Sequence, residues 1–136
     1  MKKKIDKKYH FLTLDLISLF AWMGVIFYFS SLQGDGVVYT ASWQFILERK
    51  GAHVFEYLVL TLLFLKLFTQ KSIKKKEALI LAILASLLYA LTDEIHQLFV
   101  FGREGKISDV LIDLIGISLG GLFFWGFIKI KAKLKK

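Results

Sequence analysis

Four apolar stretches, separated by segments rich in charged residues, constrain this chain more than any other feature. A bilayer core about 30 Å thick is crossed by about 20 apolar residues in a helix, which satisfies its own backbone hydrogen bonds there. Hydrophobic residues make up 56% of the 136, more than in a typical soluble domain. The sequence therefore predicts an all-α fold, an integral membrane four-helix transmembrane bundle forming one domain over residues 1–136. The helices are predicted at about residues 11–32, 52–68, 78–99 and 107–128.

The distribution of lysines predicts the orientation of the bundle. Fifteen lysines lie in three segments, at residues 2–8, 66–76 and 129–136. The two other connecting segments carry four basic residues, Arg49, Lys50, Arg103 and Lys106. Because cytoplasmic loops of membrane proteins are enriched in basic residues, we expect a multi-pass protein of the cell membrane with both termini in the cytoplasm. The segments that hold the arginines then face outward.

Composition excludes several classes of function. The chain has no cysteine, so it has neither disulfides nor a thiolate site. Its net charge of +8 lies in blocks between apolar runs and not along one face, and we therefore expect no nucleic-acid partner. The lysine-rich start followed by an apolar run resembles a secretory signal. The run is longer than the roughly 7 to 15 residues of a signal core, which predicts a retained helix.

The first outward segment, residues 33–50, permits two interpretations. Gly34 and Gly36 predict a turn after the first helix. The aromatic stretch from Trp43 to Leu47 then forms either a short helix at headgroup level or the water-exposed end of the second helix.

Polar side chains recur at helical spacing within three of the apolar stretches. Those that share a face on each helix are Arg49, His53, Glu56 and Tyr57, then Tyr89, Asp93, His96 and Gln97, then Asp109 and Asp113. At 1.5 Å per residue, Glu56, Asp93 and Asp113 all lie about two turns inside the outer ends of their helices. The sequence thus predicts a polar pocket that faces outward. Its rim is predicted to contain Ser30, Ser31, Gln33, Arg49, Lys50 and Arg103.

The same residues give the chain a resemblance to a known family. It resembles the VanZ-like family of small integral membrane proteins in five motifs, SSLQ at 30–33, RKGAHVFEY at 49–57, DEIHQLF at 93–99, GREG at 102–105 and DVLIDLIG at 109–116. Phe101 stands where relatives often have proline, and Asp113 where some have asparagine. The family is named for a protein that raises resistance to teicoplanin, so the resemblance implies a cell-envelope role in lowering susceptibility to such lipoglycopeptides.

Three roles for the polar residues remain open from the sequence. In the first, the arginines neutralise the carboxylates in a structural network, since charges inside a membrane usually pair with one another. In the second, the pocket binds or transforms an anionic headgroup. Acid/base residues would then be His53, Glu56, Asp93, Glu94 and His96. Ligand-binding residues would be Ser31, Gln33, Arg49, Lys50, Tyr57, Tyr89, Gln97, Arg103, Asp109 and Asp113.

The third role is a divalent metal site. His53 with Glu56 and Asp93 with His96 each show the three-residue spacing found in helical di-metal bundles, and Glu94 or Asp109 would add a further ligand. We nevertheless expect no resident cofactor.

The expected partners are membrane lipids, including a lipid-linked cell-wall component. Two other functions stay open, a membrane-embedded acid/base or metal-dependent hydrolase or transferase, and a structural or accessory subunit without catalysis. Gly116 and Gly120 form a small-residue pair that predicts close helix packing within the monomer or, as the alternative, a homodimer contact.

Overall fold

The computed structural model describes residues 2–33, 43–70 and 73–134, and within these ranges it contains four helices and no strand. The helices are α1 (Lys2–Ser30), α2 (Trp43–Thr69), α3 (Lys75–Gln97) and α4 (Ile107–Lys133). Each contains a stretch that is long and apolar enough to cross a membrane. The predicted all-helical fold with four membrane spans is therefore confirmed.

Helix α2 begins nine residues earlier than predicted, at Trp43 rather than residue 52. Its 27 residues measure about 40 Å, more than a bilayer core requires, so its first turns extend beyond the apolar span. Of the two interpretations of the aromatic stretch, the continuous second helix is correct. Arg49 and Lys50 consequently lie on a helix and not in a loop. The turn predicted at Gly34 and Gly36 lies outside the described residues.

Consecutive helices run in opposite directions, which gives the bundle two chemically different ends. We call them the lysine end, where α2 ends and α3 begins, and the pocket end, where α1 ends and α2 begins. Helix α2 is central, since it packs against each of the other three and most extensively against α4. The core between them is formed by Leu19, Ile26, Tyr57, Leu60, Leu67, Ala90 and Ile117.

Two glycines set the close approach of α4 to α2. A Cβ atom on Gly116 would lie 2.2 Å from the carbonyl oxygen of Val54, and one on Gly120 would lie 3.0 Å from that of Leu58. Small residues at these positions let the two backbones touch, as is usual between membrane helices. The glycines are thus covered by α2 within the monomer. A homodimer contact through them stays a prediction, and it would require α2 to leave this face.

The outside of the bundle is apolar, whereas charged side chains are found between the helices. Phe20, Leu88 and Phe123 are each more than 60% exposed, as expected for side chains that face lipid. Near the lysine end, the buried carboxylate of Asp15 pairs with the ammonium of Lys66 at 2.7 Å. Asp15 also accepts a hydrogen bond from Gln70. Charges inside the bundle are therefore tolerated where they are paired.

Candidate functional site

A polar pocket of about 230 Å³ opens at the pocket end of the bundle. Helices α1, α2 and α3 form its walls, and the segment at 98–106 contributes one arginine. The lining residues are Phe29, Ser30, Leu32, Arg49, Ala52, His53, Glu56, Asp93, Gln97 and Arg103. Six of the residues that were singled out from the sequence as site residues thus line one pocket, together with Ser30 of the predicted rim.

His53 on α2 is held by Asp113 on α4. The Nδ1 atom of His53 lies 3.0 Å from Oδ1 of Asp113, and the side chain of Asp113 is fully buried. This contact occurs where α2 and α4 are closest, because Asp113 lies one turn before Gly116 and His53 directly precedes Val54. The other carboxylate oxygen of Asp113, Oδ2, is buried and has no hydrogen-bond partner in the described part of the chain.

Arg103 is anchored by backbone groups and not by carboxylates. Its Nε donates to the carbonyl of Leu32 at 2.8 Å and its Nη2 to that of Phe29 at 3.0 Å. These carbonyls lie at the end of α1, where helical partners run out and a cation is favourable. Gly102, with a φ of 71°, makes the turn that leads into Arg103. The guanidinium makes no further hydrogen bond within the described ranges.

The two guanidiniums of the pocket lie close enough to affect one another. Burial lowers the pKa of Arg103 from its ordinary value, and the positive charge of Arg49 lowers it further. A guanidinium nevertheless remains protonated in proteins. Arg49 itself lies on the first turns of α2 and makes no hydrogen bond or ion pair with another described residue. The pocket rim therefore carries two positive charges. Arg103 is hydrogen-bonded to the end of α1, whereas Arg49 has no such partner among the described residues.

The network predicted between basic and acidic residues is not formed. Across the described ranges, no nitrogen of Arg49, Lys50 or Arg103 lies within 4.0 Å of a carboxylate oxygen. The carboxylates have other partners. Asp93 accepts a hydrogen bond from Gln97 at 3.2 Å, and Glu94 accepts one from the backbone N–H of Lys106 at 2.8 Å.

Glu94, a residue of α3, contacts the N-terminus of α4. Its contact with Lys106 satisfies a backbone donor that has no helical partner, as a capping residue does. Close packing reinforces this contact, since a Cβ atom on Gly105 would lie 2.3 Å from the carbonyl oxygen of Glu94. Beyond this turn, an ion pair joins the exposed side chains of Lys106 and Glu104, which raises the pKa of Lys106 and lowers that of Glu104.

His96 was predicted to belong to the acid/base set and to the metal set, but the structure places it outside the pocket. Its Nε2 lies 3.0 Å from the hydroxyl of Ser31, and its ring stacks on Phe27 with 4.4 Å between centroids. Asp93 and Gln97 face the pocket. On an ideal helix, His96 lies about 60° from Asp93 around the helix axis, on the side toward α1. His96 and Ser31 thus join α1 to α3.

Other predicted residues lie beside the pocket and do not line it. Tyr89 donates to the carbonyl of Met23 at 2.7 Å and so joins α3 to α1. Tyr57 is fully buried, and its hydroxyl has no partner among the described residues. The predicted site residues that do not line the pocket are Ser31, Gln33, Lys50, Tyr57, Tyr89, Glu94, His96, Asp109 and Asp113.

Three lining residues were not predicted as site residues. Phe29 and Leu32 belong to the end of the first apolar stretch, and Ala52 lies beside His53. Apolar residues at a helix end are typical of a membrane span, so their types gave no signal of a site. Phe29 and Leu32 reach the pocket because α1 packs against α2 and α3, whereas Ala52 lies there because it is adjacent to His53 on α2.

The set of side chains able to share a metal ion differs from the predicted one. One donor atom each from His53, Glu94 and Asp113 lies within 4.8 Å of the others. The predicted set instead combined His53 with Glu56, Asp93 and His96. The arrangement as a whole offers cations at the rim for an anion, and an imidazole and carboxylates deeper in for proton transfer or metal binding.

Comparison with known proteins gives one match. The model of the family described as VanZ/LLP1 matches residues 14–129, which is most of the chain and includes every residue that lines the pocket. Neither a curated protein nor a solved structure matches the chain.

Proposed function

The chain belongs to the VanZ-like family, and from that membership we propose that its pocket binds the anionic headgroup of a lipid or lipid-linked cell-wall component at the outer leaflet. Occupying or altering that headgroup would lower susceptibility to lipoglycopeptides such as teicoplanin.

The observation that supports this proposal is the pair of arginines at the rim. Arg49 and Arg103 both line the pocket, and within the described ranges neither has a carboxylate oxygen within 4.0 Å. The positive charge of Arg49 acts on Arg103, and an anion bound between the two guanidiniums would offset this repulsion. Phosphate suits this position, since a guanidinium binds it through two parallel N–H groups.

The size of the pocket favours a headgroup over a whole lipid. Its volume of about 230 Å³ is below the roughly 300 to 1,000 Å³ of sites that enclose drug-sized ligands. Acyl chains would remain outside, against the apolar surface of the helices. Phe29, which lines the pocket and is 49% exposed, lies where this surface meets the polar site.

A second function, acid/base hydrolysis or transfer, is favoured by the position of His53. Its imidazole lines the pocket while Asp113 fixes its other side, so that the ring is oriented as a proton-transfer group requires. Glu56 and Asp93 supply carboxylates within the same pocket. Under this alternative the arginines bind the substrate and these groups act on it. The accessory role without catalysis remains the third alternative.

Exchanging Arg49 for glutamine tests the headgroup proposal, because Arg49 lines the pocket and makes no hydrogen bond or ion pair with another described residue. The matched control is Lys50→Gln, since Lys50 is adjacent, exposed and outside the pocket. Losing one charge-assisted contact costs about 1.5 to 3 kcal/mol, which weakens binding roughly ten- to hundred-fold. We therefore expect Arg49→Gln to abolish teicoplanin resistance in a susceptible host at unchanged protein abundance. We expect Lys50→Gln to retain it.

Glu56→Gln separates binding from chemistry. A protein that only binds keeps resistance in this variant, whereas a catalytic protein loses it. Equal resistance in Arg49→Gln and Lys50→Gln, at equal abundance, would contradict the headgroup proposal.

A further inference from the structure

Three buried side chains on three different helices meet beside the inner wall of the pocket. We propose that His53, Glu94 and Asp113 bind one divalent transition-metal ion, which ties α2, α3 and α4 together at the depth of the pocket. This inference is independent of the headgroup proposal, because the ion would bind with or without a lipid.

The distances between donor atoms suit a shared ion. Nδ1 of His53 and Oδ1 of Asp113 lie 3.0 Å apart, and one donor atom from each of the three side chains lies within 4.8 Å of the others. Ligands about 2.0 to 2.2 Å from a tetrahedral metal are separated by about 3.3 to 3.6 Å. A separation of up to 4.8 Å would therefore have to shorten by about 1 Å for the three donors to share one ion.

Unsatisfied acceptors supply a second, separate argument. Oδ2 of Asp113 and Oε1 of Gln97 are both buried and have no donor among the described residues. Asp113 is 0% exposed and Gln97 is 1% exposed. Buried polar groups in folded proteins nearly always have a partner, and the free Oδ2 of Asp113 calls for a cation or an additional donor. The Nδ1 atom of His53 faces just one oxygen of Asp113, and an ion bound between the two side chains would take the place of the proton that now joins them.

The charges lead to the same conclusion. Glu94 and Asp113 are carboxylates inside the bundle, and no lysine or arginine nitrogen in the described ranges lies within 4.0 Å of either. Buried charges are normally paired or coordinate a metal. Glu94 has a backbone N–H from Lys106 and the side chain of Gln97 as its hydrogen-bond donors. Neither donor neutralises its charge.

The donor set indicates which ions fit. One imidazole nitrogen with two carboxylate oxygens is typical of zinc or manganese, whereas calcium and magnesium prefer sites built from oxygen alone. His53 lines the pocket, which gives the ion a path from the surface. It also leaves a coordination position for water or a ligand on that side.

Metal analysis of the full-length protein tests this inference. The protein is purified in mild detergent without chelator or added metal, and bound metals are measured by inductively coupled plasma mass spectrometry. We expect about one zinc or manganese ion per chain, and at least a ten-fold lower content in His53→Gln. The matched control is His96→Gln, which alters the histidine that contacts Ser31 outside the pocket and should retain the metal. Equal loss in both variants, or a metal-free wild-type protein, would overturn the proposal.

A second measurement guards against variants that misfold. The substitution Asp113→Asn keeps the size of the side chain and the acceptor oxygen that faces His53 but removes the charge. We expect zinc or manganese to raise the unfolding midpoint of chelator-treated wild-type protein. The added metal should leave the unfolding midpoint of Asp113→Asn unchanged, provided that this variant is as helical as the wild-type protein. An equal rise in both proteins, or in neither, would exclude this site.

Discussion

The substitution Gly116→Ala, at the contact between α2 and α4, gives the prediction with the most clearly defined magnitude. The added methyl carbon would lie 2.2 Å from the carbonyl oxygen of Val54, 3.0 Å from its carbon and 3.1 Å from the nitrogen of Leu58. Non-bonded carbon and oxygen atoms need more than 3 Å, so the helices must separate by about 1 Å. All three contacts are backbone atoms, and no side chain can rotate away to relieve them.

Overpacking in a well-packed interior costs about 1 to 3 kcal/mol and occasionally more. Because the backbone itself must move here, we expect at least about 3 kcal/mol, measured as the loss in unfolding free energy in detergent micelles. The shift would also stretch the 3.0 Å contact between His53 and Asp113, which lies one turn away. The control is Gly126→Ala, whose new methyl group would meet nothing within 4 Å. Equal stability of the two variants would refute the proposed packing of α2 on α4.

Two further predictions concern polar contacts between helices. Thr61→Val removes the 3.0 Å hydrogen bond to Ser86 while preserving shape, and we expect it to cost about 0.6 kcal/mol in a denaturant titration, as such bonds do in membrane proteins. Lys66→Met leaves the buried carboxylate of Asp15 without its cation, and we expect a loss of about 1 to 3 kcal/mol in the same assay. Lys74→Met, which removes a pair on the surface, should leave the denaturation midpoint unchanged.

The sequence predicted the helices well because each apolar stretch matches the length that a bilayer imposes. It misplaced the starts of α1 and α2, each by nine residues, since charged residues interrupt the apolar pattern while the backbone is helical from Lys2 and from Trp43. Hydropathy reports where lipid begins. It does not report where the helix begins.

The pocket could be predicted in part because helical spacing fixes which residues share a face. His53, Glu56 and Asp93 were placed together correctly on that basis. The three-residue spacing from Asp93 to His96 was misleading. Whether His96 faces the pocket or α1 depends on the angle at which α1 packs on α3. Spacing within one helix cannot supply this angle.

The partner of His53 needed information from two helices. Asp113 meets it because Gly116, one turn further on, brings α4 against α2. The glycines were visible in the sequence as a packing motif, but not the helix that they face. Glu94 shows the same limitation, since it was predicted as an acid/base residue or metal ligand, and only the fold shows its contact with the N-terminus of α4.

The headgroup proposal assigns an anionic headgroup to the two arginines at the rim. Lipids that co-purify with the protein in mild detergent, identified and counted by mass spectrometry, test it most directly. The proposal predicts one class of phosphate-bearing lipid or lipid-linked precursor, enriched over the bulk membrane in wild-type protein and in Lys50→Gln. It predicts that this enrichment falls at least ten-fold in Arg49→Gln. The same lipid composition in all three proteins would contradict it.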